Sequence, residues 1–186
     1  MLTRFHYFRI IIVFNIFFSS SIETKMGHFS INQNQLAGTV KTEIAQFADY
    51  LVEQFGRIDK GQFYIDIIDN KLKIPTYFPV WATGIAFSNN IIIDNTKIKN
   101  SPHLLKVLRH EICHLYQHSI NNHSTFPGWF KEGMAMFLAK QFSIDNRYLI
   151  SKAVWMNCLI DLNDLDQFSK LNETEINLAY EQSLMA

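Results

Sequence analysis

The feature that most constrains this chain is a five-residue pattern, His110-Glu111-Ile112-Cys113-His114. It lies in a stretch whose start at Ser101-Pro102 places a capping residue before a proline at the first helical position. On that helix, expected to run to about Ser119, two histidines four residues apart stand one turn above each other. Their ring nitrogens converge on one metal ion, and the glutamate beside the first stands next to the metal as a base. Leu104, Leu105, Leu108, Ile112 and Leu115 fall on one side at about 100° per residue, and the two histidines on nearly the opposite side. They are therefore not expected in the core under the leucines.

A catalytic zinc usually takes three protein ligands. A His-Glu-x-x-His-x-x-Gly-x-x-His arrangement is excluded, because Gln117 and Ile120 occupy its glycine and last histidine positions. A glutamate on a following helix is the other option. Gly128-Trp129-Phe130-Lys131-Glu132-Gly133-Met134-Ala135 supplies it, with 17 residues between His114 and Glu132, which suits a loop and an antiparallel return.

Composition removes other classes. The 186 residues are 48% hydrophobic and 18% charged, which excludes a disordered chain and a coiled coil and allows one domain. Seventeen basic residues balance seventeen acidic ones, so no cationic surplus exists for nucleic acid. Cys113 and Cys158 form no metal-type pair; one disulfide is open to them, and two small buried hydrophobes is the plainer reading.

The N-terminus has its own pattern. Arg4 and Arg9 precede the apolar run 10–18, then Ser19, Ser20 and Ser21, with no acidic residue before Glu23. Residues 1–21 read as a secretory signal cleaved after Ser21, the run being shorter than the roughly 20 residues of a membrane anchor. An exported protein follows, meeting a membrane only if that segment stays uncleaved. Residues 22–34 read as a leader or linker, and 35–186 as the domain.

Within the domain, Leu36, Val40, Ile44, Phe47, Leu51 and Phe55 predict a helix over 35–55 that stops at Gly56. Residues 63–68 alternate as a strand, 71–82 form an irregular connection, and 84–88 and 91–94 pair through a turn at Asn89-Asn90. Helices follow over 131–142 and 146–160. A last one starts near Asn172, which has capping-box spacing to Glu175. The class is α+β, a small mixed sheet with helices in an N-terminal lobe and a helical C-terminal lobe.

His110-Glu-x-x-His114 with Trp129-x-x-Glu132-Gly133-x-Ala135 resembles the gluzincin zinc metallopeptidases of the peptidase MA-like families. The resemblance implies one Zn2+ per chain held by His110, His114 and Glu132, in a cleft between the lobes. It implies Glu111 as general base in peptide-bond hydrolysis of a peptide or protein substrate. It also implies an edge strand that binds substrate, here Gly84, Ile85, Ala86 and Phe87, and a later tyrosine-bearing helix matched by Ala179-Tyr180-Glu181-Gln182-Ser183. No histidine follows His123, so Tyr180 is the expected donor to the oxyanion, with Tyr148 the only other C-terminal tyrosine.

Departures shape the expectation. Relatives of the aminopeptidase-N type carry an upstream glutamate for the substrate amine, and this chain has no acidic residue between Ile74 and Ile93. Endopeptidase action is therefore expected over aminopeptidase action, with a catalytically lapsed peptide-binding module as the alternative. Thermolysin-like relatives place an aspartate four residues after the zinc glutamate, where this chain has Met136, so the partners of the histidines are unidentified. Family members usually continue past the point where this chain stops inside an apparent helix, which reads as either a fragment or a minimal form of the domain. His103, His118, His123, His6 and His28 carry no expected metal role, Ser183 is expected to pack, and Trp81 and Trp155 are expected in the core.

Overall fold

The fold is described from a computed structural model, which describes residues 20–32, 36–120, 126–141, 144–166 and 171–185. Its centre is a five-stranded mixed sheet in the order β1-β2-β3-β5-β4. The strands are β1 Ser20–Glu23, β2 Gly27–Ile31, β3 Gly61–Ile68, β4 Gly84–Phe87 and β5 Asn90–Asp94. β2, β3 and β5 run parallel, and the two edge strands β1 and β4 are antiparallel to their neighbours. A helix, α1 (Gly38–Phe55), makes the crossover from β2 to β3, as parallel strands require.

One face of the sheet carries the main core. Phe29, Ile31, Phe63, Ile65, Ile67, Ile91 and Ile93 meet the apolar stripe of α1 (Val40, Ile44, Phe47, Leu51). They also meet Leu104, Val107, Leu108, Ile112 and Leu115 of α2 (Ser101–Ile120). The alternation along β5 sends Ile92 to the other face, where it packs with Ile68 of β3 and with Phe78 and Ala82 of the 71–82 connection. Gly27 and Gly61 are paired in register, and a Cβ on Gly27 would lie 2.2 Å from the Gly61 carbonyl oxygen, so β2 and β3 begin at a contact only glycine permits.

The C-terminal part is helical: α3 Gly128–Leu138, α4 Ile144–Trp155, α5 Leu162–Leu165 and α6 Glu173–Met185. α3 packs against both α2 and α6. The α3–α6 contact is intimate, because a Cβ on Gly133 would lie 2.0 Å from the Ser183 carbonyl oxygen. The capping box of α6 forms as predicted: Glu175 N–H donates to Asn172 Oδ1 at 3.0 Å, and Asn172 N–H to Glu175 Oε2 at 2.9 Å.

Several expectations are corrected. Residues 22–34 are not a leader or linker: they contain the second half of β1 and all of β2, whose Phe29 and Ile31 are fully buried. The linker reading overlooked them because β2 is one short strand without an alternating polar face. The apolar run assigned to a signal lies outside the described residues, while Ser20 and Ser21 are in β1. Asn100, not Ser101, caps α2, its Oδ1 accepting from His103 N–H at 2.9 Å. Both cysteines are free thiols, Cys113 buried and Cys158 exposed. Trp155 is exposed, and so is much of Trp81. Among the described residues no helix is long and apolar enough to cross a membrane.

Candidate active site

The side of α2 opposite the leucines does not face water. α3 packs on it, Tyr180 of α6 stands beside His110 and β4 passes over Glu111, so that His110 and Glu111 are buried at 8% and 5% exposure. A helix buried on two sides carries its polar residues inward only where they meet partners or an ion.

Three such groups converge. His110 Nε2 and His114 Nε2 are 3.0 Å apart, and Glu132 Oε2 lies 3.2 Å from the first and 3.4 Å from the second. Glu132 reaches them from the start of the second turn of α3, a helix whose first residue, Gly128, donates its N–H to the Asp166 carboxylate beyond α5. Glu132 Oε2 is buried yet makes no hydrogen bond of normal geometry.

The far sides of the rings explain the arrangement. His114 Nδ1 is 2.9 Å from Gln117 Oε1, and His110 Nδ1 is 3.0 Å from Gln141 Oε1. An amide oxygen only accepts, so each Nδ1 carries its proton and each Nε2 presents a lone pair inward. Two imidazole lone pairs and a carboxylate oxygen, all within 4.8 Å of one another, form a site that could hold a metal ion. Two histidines and a carboxylate are a donor set of zinc, so residues and ion fit. A proton is the competing cation. Burial disfavours a charged His114, but the Glu132 carboxylate outweighs it and pushes this imidazole up to about 9. Burial likewise opposes the Glu132 anion, and the two histidines hold it well below the usual carboxylate range.

Glu111 points beside this centre. Burial raises its carboxyl above the ordinary value, the histidines oppose that rise and Glu132 reinforces it. β4 passes directly over it, with a Cβ on Gly84 falling 2.8 Å from Glu111 Oε1. A cavity of about 240 Å³ opens here, lined by Ile85 and Ala86 of β4, both histidines, Glu111, Glu132 and Tyr180 among others. Of the expected edge-strand residues, Gly84, Ile85 and Ala86 line it, while Phe87 turns to the outer surface and meets the edge of Tyr77. Tyr180 comes from α6, its ring centroid 6.4 Å from that of His110, and burial pushes its phenol upward so that it stays protonated. Tyr148 is exposed and far from any such role.

Sequence reasoning missed three participants. Gln117 stands three residues after His114 on the same helical face, a spacing that signals contact. Gln141 lies beyond the end of α3 and no local signal marks it. Trp81, expected in the core, lines the cavity with its ring 6.2 Å from Tyr180. His118 lines the same cavity but is not within the ligand cluster, and Ser183 packs, its hydroxyl donating to the Ala179 carbonyl at 2.7 Å.

The family model of the Peptidase MA superfamily matches residues 62–186. The chain belongs to that superfamily, whose members are peptidases and typically depend on zinc. No curated protein and no solved structure matches it.

Proposed function

We propose that the protein is a zinc-dependent peptidase that hydrolyses internal peptide bonds. The observation that carries the reading is the inward convergence of His110 Nε2, His114 Nε2 and Glu132 Oε2 beside the buried Glu111. His110, His114 and Glu132 would hold one zinc ion, which when bound supplies Lewis acidity toward a water and toward the scissile carbonyl.

The chain's own residues do the rest. The Glu111 carboxylate accepts a proton from the attacking water and delivers it to the leaving amine nitrogen, a task suited to a carboxyl raised by burial. The Tyr180 hydroxyl, still protonated, donates to the carbonyl oxygen as it becomes an oxyanion. β4 is a sheet edge, so Gly84, Ile85 and Ala86 offer backbone groups to an extended peptide, which fixes the bond over Glu111. Endopeptidase action is favoured because β4 and the connection before it carry no carboxylate for a substrate amine.

A lapsed module that only binds peptides is the rival, and the presence of Glu111 under β4 speaks against it. The N-terminal apolar run supports an exported protein. Metal analysis of the purified chain, run with digests of one peptide library in free-terminus and blocked-terminus forms, tests the reading. About one zinc per chain with internal cleavage is expected; zinc without cleavage would leave the lapsed module, and cleavage confined to free N-termini would overturn the endopeptidase assignment.

A further inference from the structure

We propose that Gln117 is a positioning residue that sets two metal ligands at once, a proposal resting on the zinc reading above. Its buried amide is held from both ends. Nε2 donates to the Lys131 carbonyl at 3.0 Å, and Oε1 lies 2.9 Å from His114 Nδ1.

The first contact fixes the second. A backbone carbonyl only accepts, so the amide nitrogen must face Lys131, and the oxygen is thereby committed to His114. That oxygen accepts only from a protonated Nδ1, which leaves the Nε2 lone pair aimed at Glu132 and His110. The orientation of the amide is thus settled by main chain, and the amide settles the imidazole.

The same side chain holds the third ligand. Lys131 precedes Glu132, so the bond to its carbonyl ties the first turn of α3 to α2 at the place where Glu132 departs. One methylene matters here: an asparagine could not span both partners. His110 has a separate support in Gln141, from beyond α3. Gln117 therefore couples His114 to Glu132, and Gln141 supports the His110 ring. Carboxamides in both places orient the rings without adding negative charge around the ion.

The test measures metal, not turnover. Q117M keeps the volume and loses both hydrogen bonds; Q117N keeps the amide on a shorter arm. Zinc affinity is read by competition with a chelator, ligand geometry from the d–d spectrum of the cobalt-substituted protein, and folding from the metal-free melting curve. Both variants should bind zinc about 10- to 100-fold more weakly, as expected for lost supporting contacts, with an altered cobalt spectrum. If Q117M does not fold, Q117N decides by the same readings. An affinity loss below about threefold, or an unchanged cobalt spectrum, overturns the brace while the zinc reading stands. A native chain that takes no zinc overturns both.

Discussion

Gly84 and Glu111 are in contact across the strand–helix boundary: no side chain fits between the backbone of β4 and the carboxylate below it, since a Cβ would lie 2.8 Å from Oε1. The same Cβ would lie 2.8 Å from Val107 Cγ1. The glycine thus lets the Glu111 carboxylate, the proposed base, sit directly beneath the strand proposed to take a peptide.

Gly84→Ala should therefore damage activity more than stability. Relief requires β4 or Glu111 to move, at a cost of about 1–3 kcal/mol for overpacking. A shift of the base by a fraction of an ångström should lower kcat at least tenfold. Melting and turnover of the purified variant check this; native kcat in the variant would show that Glu111 is not held by β4.

Glu111→Gln retains size and hydrogen bonding but accepts no proton. Zinc content should be unchanged and turnover should fall by about 10²–10⁴-fold. Activity within a few-fold of native would remove Glu111 from the reaction.

His114→Ala takes away one of the three proposed ligands and leaves Glu132 buried with a single imidazole. Zinc should be lost on dialysis, and the melting temperature of the zinc-loaded protein should fall, because binding to the folded state is also folding energy. Retention of a full equivalent of zinc would refute the ligand set.

Removing the metal should make stability depend on pH with a defined sign. His114 binds its proton more tightly folded, about 9, than unfolded, near the ordinary 6.5. The stabilisation is fully present below about 6.5 and is lost as pH rises through about 9. Melting temperatures of the chelator-treated protein should fall across that window, while zinc affinity rises as the competing proton leaves. A flat profile would mean that no proton takes the place of the ion.

Tyr180→Phe keeps the ring against Trp81 and His110 and deletes the hydroxyl. Turnover should fall by about 10- to 1000-fold with KM and melting temperature little changed. Unchanged kcat would reduce Tyr180 to a packing residue of the cavity wall.

The sequence by itself determined what local spacing determines. His110, Glu111 and His114 share a helical face by periodicity alone, and the 17 residues to Glu132 allow a second helix to return. The stripe of α1, the β4–β5 pair and the capping box of α6 were legible for the same reason, since each depends on residues close in the chain. Only the tertiary structure decided what meets across elements. β2 enters the sheet between β1 and β3, though its five residues carry no periodic signal. Gln141 reaches His110 from 31 residues away, and Trp81 leaves the core for the cavity because α6 brings Tyr180 beside it. The glycines at 84 and 133 show the reason most plainly. Both positions demand the absence of a side chain because of a neighbour distant in sequence, Glu111 for one and Ser183 for the other. Such a demand is a property of packed surfaces, not of any stretch of chain.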